Sequence, residues 1–191
     1  MAIQEKLYTV DDVWELKHRP ENEGKRFYLI DGDLFFRMSP GILHGRVATK
    51  LGRYLDEFAE KQGLGYVAVE SGFHPTGERH TLLMPDVAFF RVGRLPDPNT
   101  ERFGPAMPDL AIEVQSPGNT LDELRRKAGV YLANGTALVW IVRTQQRGVD
   151  VCRAGAGARL DIEFVGADGS LSGENVLPGF ELELKLLFPS A

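Results

Sequence analysis

The feature that most limits what this chain can fold into is a strand–helix–strand run between Asp109 and Val142. Asp109-Leu110-Ala111-Ile112-Glu113-Val114 is a short segment, apolar apart from its two acids. Gln115-Ser116-Pro117-Gly118-Asn119-Thr120 breaks it, a helix-like segment carries Lys127 and Tyr131, and Ala137-Leu138-Val139-Trp140-Ile141-Val142 follows as a wholly apolar strand. Two such strands joined through a helix read as a β-α-β crossover, with the second strand buried on both faces. That arrangement calls for an α/β domain with chain packed against both sides of its sheet.

Glu113 sits inside this strand where an apolar residue belongs, and a buried acid is rare without a partner. Strand alternation puts Asp109, Ala111, Glu113 and Gln115 on one face. Asp109 and Glu113 are nevertheless four residues apart, ~13 Å at ~3.3 Å per residue, too far to share one cation. A partner for Glu113 must come from another strand, and Asp86, the lone charge opening Val87-Ala88-Phe89-Phe90, is the best placed. Two carboxylates converging from adjacent strands, with carbonyls and water completing the shell, suit Mg²⁺ or Mn²⁺. On the following helix a turn of about 100° per residue brings Ala128, Tyr131 and Lys127 within about 60° of Leu124, while Arg125 and Arg126 point away. A lysine beside the buried stripe can orient a water or offset charge on a phosphoryl group. The plainer readings are that Asp86 caps a turn and that Lys127 pairs with Glu123 one turn earlier on the helix surface.

Elsewhere the pattern is ordinary. Thr9 with Asp12 reads as a capped short helix that stops before Pro20, and Phe27 to Arg37 as a hairpin turning at Asp31-Gly32. Ser39-Pro40 opens a long helix with an apolar stripe of Leu43, Val47, Leu51, Tyr54, Leu55 and Phe58, ended by Gly63 and Gly65. On it, His44 falls on the buried side as a hydrogen-bonded core histidine or a group near the site. Arg46, Lys50 and Arg53 form a basic face, either solvated or in contact with phosphates. Gly65 to Phe73 and Leu82 to Arg91 read as strands, and 94–108, with four prolines, as a surface loop. Val149 to Arg153 and Leu160 to Val165 make a hairpin across Ala154 to Ala158, and Glu181 to Leu186 a last strand. His74 and His80 flank a turn and read as solvated, and Trp140 reads as core.

The chain of 191 residues is 43% hydrophobic and carries a net charge of −5, which fits one domain over 1–191. The acidic balance excludes a strongly basic coat protein for nucleic acid but not a nuclease whose acidic site is neutralised by cations. One cysteine, Cys152, excludes a disulfide framework and a cysteine zinc cluster and fits a reducing cytoplasm. Met1 to Val10 has no signal-peptide core, and no apolar run approaches the roughly 18 residues of a membrane span.

At these residues the sequence resembles the Uma-type family of predicted restriction endonucleases, a branch of the PD-(D/E)xK nuclease superfamily. The resemblance is carried by Leu29-Ile30-Asp31-Gly32-Asp33-Leu34, Met38-Ser39-Pro40 with His44, Pro85-Asp86-Val87-Ala88, and Pro108-Asp109-Leu110-Ala111-Ile112-Glu113-Val114 with Ser116-Pro117. Lys127 with Tyr131, Gly135, Trp140-Ile141-Val142 and Leu177-Pro178-Gly179-Phe180 continue it in order. It implies a mixed central sheet flanked by helices, of the restriction-endonuclease type, with extra hairpins towards both ends of the chain. It also implies Mg²⁺ held by Asp86, Glu113 and the carbonyl of Val114. The superfamily's lysine stands two residues after the glutamate, where this chain has Gln115. Lys127 on the next helix is the replacement the family resemblance implies. The chain also departs from its relatives at Tyr28, where a glutamate is common, and at Arg143, where an aspartate is usual.

Together these readings lead to a Mg²⁺-dependent DNA endonuclease with Asp86, Glu113, Lys127 and Gln115 at the chemistry. Arg46, Lys50, Arg53, His44 and Tyr131 are its candidate substrate contacts, and a homodimer without membrane attachment is its expected form. The alternative is a catalytically inactive DNA-binding protein of the same fold. A hydrolase of other phosphodiesters, such as RNA, is a third reading.

Overall fold

A computed structural model describes residues 6–95, 97–157 and 159–188. Met1 to Glu5, Pro96 of the 94–108 loop, Ala158 of the hairpin turn and 189–191 lie outside the described residues.

The first helix, α1 (Val10–Lys17), begins with a closed capping box: Thr9 Oγ1 accepts the Asp12 amide and the Asp12 carboxylate accepts the Thr9 amide. β1 (Lys25–Ile30) and β2 (Asp33–Met38) then pair antiparallel across Asp31-Gly32. Both turn residues have positive φ, 52° and 85°, as a two-residue type I′ hairpin turn requires.

α2 (Ile42–Gln62) starts later than the Ser39 cap implies. The chain enters the helix only after Gly41, which caps it without a side-chain bond. Ser39 Oγ instead turns to the Gly24 carbonyl at 3.5 Å. Leu43 is 44% exposed, so the buried stripe runs through Val47, Leu51 and Leu55, with Tyr54 and Phe58 packed at its edge. Gly63, in the left-handed region, ends the helix. Gly65 belongs to the next strand, β3 (Gly65–Val69), where a Cβ would lie 1.9 Å from the Phe90 carbonyl oxygen.

The central sheet runs β3, β4 (Val87–Arg91), β5 (Leu110–Val114), β6 (Leu138–Arg143), β7 (Gly148–Ala154), β8 (Leu160–Val165). Only β5 and β6 are parallel, joined through α3 (Leu121–Ala133); the other neighbours are antiparallel, so the sheet is mixed. The expected strands at 65–73 and 82–91 are both shorter than their apolar patterns. Glu70 turns to positive φ after Val69, and Pro85, which has no N–H to give a ladder, holds regular pairing off until Val87. Leu82 and Leu83 make only isolated bridges, to Leu29 and Phe73. Near the end, β10 (Glu181–Glu183) pairs with β9 (Ser170–Ser172), and 184–186 winds into a 3₁₀ turn rather than extending the strand.

Alternation along β5 sorts the core. Leu110, Ile112 and Val114 pack with Trp140 against α2 and the C-terminal Leu177, Phe180 and Leu184. Ala111 packs on the other face with Leu124, Ala128 and Tyr131 of α3 and with Tyr28 and Ile30 of the hairpin. Glu113 shares that second face, so it points into the layer where α3 and the hairpin meet. Among the described residues no helix is long and apolar enough to cross a membrane.

Candidate active site

α3 is set by the same device as α1. Thr120 caps it and Glu123 closes the capping box, so Glu123 is engaged at the helix start and with Arg37 at 3.4 Å. Lys127 is 5% exposed and reaches back to the sheet. Its Nζ donates to both oxygens of Glu113, at 3.1 and 3.0 Å. One turn on, the Tyr131 hydroxyl donates to Glu113 Oε1 at 2.9 Å. The expected surface pair with Glu123 is therefore not the contact Lys127 makes.

Asp86 lies one residue before β4, where its amide still donates to the Ile112 carbonyl and so carries it to the end of β5. Its Oδ2 accepts the Val114 amide at 2.7 Å and His44 Nε2 at 3.0 Å, and its Oδ1 lies 3.3 Å from Arg26 Nη1. Burial opposes the charge of Asp86, but His44, the Val114 amide and Arg26 outweigh it and hold the carboxyl below its usual range. At Glu113 burial wins. With the charge of Asp86 added, it pushes the carboxyl up despite Lys127 and Tyr131. The two acids are thus driven apart, as happens where carboxyls share one site.

Both acids line one cleft, together with Lys127, His44, Arg26, Arg37, Ser116 and Asn119. Tyr28 forms part of its wall, and the Lys127 ammonium lies 4.5 Å from the centre of the Tyr28 ring. An aromatic face thus flanks the lysine at the position where relatives often carry glutamate. Gln115 does not line this cleft. It lines an adjoining groove with Ile42, Leu43 and Thr144 that shares His44, Ser116 and Asn119 with the cleft.

The candidate substrate contacts divide. His44 is buried in the cleft wall, and Tyr131, fully buried, is committed to Glu113 and supports the site from behind. Arg46 and Arg53 are exposed on α2, but Lys50 donates to the Leu186 carbonyl at 2.7 Å and ties the helix to the C-terminal segment. Arg125, expected to face solvent, binds buried Asp150 at 2.7 Å, and Arg143 approaches the same acid at 3.3 Å. His74 and His80 are half-buried rather than solvated, with ring nitrogens on the carbonyls of Glu78 and Tyr8. Cys152 is buried and its thiol is pushed up to about 12, by burial first and then by Asp150, which leaves it no nucleophilic role at neutral pH. Arg26 and Arg37 are charged cleft residues that the sequence alone did not single out.

A mixed sheet with a β-α-β crossover thus brings two acids to the adjoining ends of β4 and β5. The family model described as "Uma2: Putative restriction endonuclease" matches residues 13–185, and the chain belongs to that family. Its fold is shared by a solved protein from Anabaena variabilis, described as "a putative nuclease belonging to DUF820". The TM-score is 0.77 at 20% identity, over 95% of this chain and 97% of that one. No curated protein matches the chain. Membership of the family supports nuclease function.

Proposed function

We propose that the protein is a divalent-cation-dependent endonuclease that hydrolyses phosphodiester bonds of DNA in the cleft between Asp86, Glu113 and Lys127. The observation that carries this reading is the convergence of two buried carboxylates and one buried lysine on a cleft open to solvent. The donor set fits Mg²⁺, or Mn²⁺ in its place: hard cations take one or two carboxylates and fill the rest of their shell with carbonyls and water. Asp86 and Glu113 would hold the ion, with the Val114 carbonyl. Among the described residues no group of three or more histidine, cysteine or acidic side chains is placed to hold a metal ion, so the larger protein ligand set of a zinc site is not supplied. When bound, the cation polarises the phosphate and lowers the pKa of water.

The chain's own groups do the rest. The Lys127 ammonium orients a water or offsets negative charge as the phosphate becomes five-coordinate. Tyr131 fixes the Glu113 carboxylate, and His44 fixes that of Asp86. Gln115 hydrogen-bonds water or phosphate from the adjoining groove, and Arg46 and Arg53 are available to the DNA backbone. Cutting both strands of a duplex needs two such clefts, so the active form on duplex DNA is a homodimer.

The test is incubation of purified protein with supercoiled plasmid in Mg²⁺, Mn²⁺ or EDTA, beside Asp86→Ala and Glu113→Ala. Nicking or linearisation is expected only with metal and only in the wild type. Full activity in either variant, or in EDTA, contradicts the assignment. DNA binding with no cleavage and no metal requirement would instead favour the inactive binding protein, to which the absence of a lysine at position 115 points.

A further inference from the structure

Two arginines stand where a two-stranded ribbon would ordinarily avoid them. Arg26 of β1 and Arg37 of β2 are direct cross-strand partners, and like charges placed opposite each other cost stability. Both line the cleft that holds Asp86 and Glu113. Their hydrogen bonding is incomplete on the buried side: Arg26 Nη2, Arg37 Nε and the neighbouring His44 Nδ1 are all buried without a partner. Leaving a buried arginine N–H unpaired costs about 1–3 kcal/mol. The bonds the two arginines do make are divided. Arg26 Nη1 lies 3.3 Å from Asp86 and 3.5 Å from the exposed Glu70, and Arg37 reaches the Gly118 carbonyl at 3.0 Å and Glu123 at 3.4 Å.

We infer that Arg26 and Arg37 form a clamp for a phosphodiester group, and that Arg26 serves as counter-ion to Asp86 until a divalent cation takes that carboxylate. The inference rests on the nuclease reading above and adds two residues and an exchange to it. An anion between the two guanidiniums removes their mutual repulsion and gives the buried N–H groups an acceptor, and the planar fork of arginine suits phosphate oxygens. Arg26 and a metal ion would compete for Oδ1 of Asp86. Released from Asp86, Arg26 would turn towards the phosphate, so substrate and cation would favour each other's binding.

The experiment separates the two functions of Arg26. Mn²⁺ affinity is measured by calorimetry on the free protein, and affinity for a short DNA duplex is measured in Ca²⁺ across a salt series. The proteins are the wild type, Arg26→Gln, Arg26→Lys and Arg37→Gln, each checked for a native thermal transition. Arg26→Gln should bind Mn²⁺ several-fold more tightly and DNA roughly tenfold more weakly, with a shallower salt slope. Arg26→Lys should keep Mn²⁺ affinity near the wild type yet lose DNA affinity, because the charge remains and the fork is gone; it carries the test if Arg26→Gln does not fold. Arg37→Gln should weaken DNA binding alone. Unchanged or weaker Mn²⁺ binding in Arg26→Gln, DNA binding kept in Arg37→Gln, or both affinities unchanged in Arg26→Lys overturns the clamp while a wild type that binds and cleaves leaves the nuclease reading standing. A wild type that binds neither Mn²⁺ nor DNA ends both.

Discussion

Asp109 comes just before β5 and Glu113 lies within it, on the same face, and they are almost equally buried, at 1% and 3% exposed, yet they are held in opposite ways. Asp109 is bound by cations that reach it from the surface. It accepts the Arg91 amide and Nε at 3.0 and 2.9 Å, and the Arg91 and Arg94 side chains are 49% and 44% exposed. Glu113 is held by groups that are themselves buried, Lys127 and Tyr131, and it opens on a cleft. The first arrangement pins a strand to the chain before it and leaves its cations wet. The second takes an acid and its cation out of water together, which is costly unless something else is gained. The difference teaches that burial of an acid does not by itself single out a candidate site; burial of its partner as well, beside a cleft, is what singles out Glu113.

The largest effect that would sharpen this contrast is on stability. Lys127→Met strands Glu113 beside Asp86 with no buried cation, and loss of one member of a buried pair costs about 3–5 kcal/mol. Arg91→Met removes a half-exposed partner from an acid that keeps Arg94, and should cost under about 1 kcal/mol. Urea unfolding of the two variants measures both, and equal losses would break the comparison. The sign with pH follows from Glu113. Its carboxyl is raised on folding, so its contribution is full at low pH and is lost as pH rises through the folded value. Without Lys127 that value rises further, so the Lys127→Met deficit should shrink as pH is lowered.

The two capping boxes give a smaller pair. Thr120→Ala and Thr9→Ala should each cost about 1 kcal/mol. Only Thr120→Ala should also slow cleavage, because α3 carries Lys127 and α1 carries nothing that lines the cleft; thermal melts beside a plasmid assay distinguish them. The smallest effect is at Asp12, whose carboxyl is lowered to about 2, chiefly by its bonds with Thr9. Its share of stability is complete above the ordinary carboxylate value and disappears as pH falls through about 2. The difference between wild type and Asp12→Asn should therefore close between about pH 4 and pH 2, and a gap that persists would count against the capping bond.

The elements that were legible in the sequence are those with local causes. Thr9 with Asp12, Asp31-Gly32, and the period of Leu124, Ala128 and Tyr131 each act within a few residues, and the structure keeps all of them. Glu113 and Lys127 are 14 positions apart, but a β-α crossover fixes that return path, so helix angles alone could bring them together. The clamp arginines lacked any such signal. Arg26 meets Asp86 across 60 positions, and only the packing of the hairpin over α3 places it there. Arg125 was misjudged for the same reason, since its partner Asp150 comes from β7, which periodicity within α3 cannot see. Ser39 was misjudged too: its hydroxyl meets the Gly24 carbonyl, 15 positions back, and Gly41 takes the cap.

The most direct measurement is plasmid cleavage in Mg²⁺ by Glu113→Gln and Asp109→Asn, assayed together at a temperature where both are folded. Each replaces one buried carboxylate of the β5 segment with its amide. The account expects Glu113→Gln to lose at least about a hundredfold, since an amide is a poor ligand for the cation that carries the charge, and Asp109→Asn to stay within a few-fold of wild type. Equal activities, or a loss confined to Asp109→Asn, would contradict the placing of the active site at the Glu113 end of the strand.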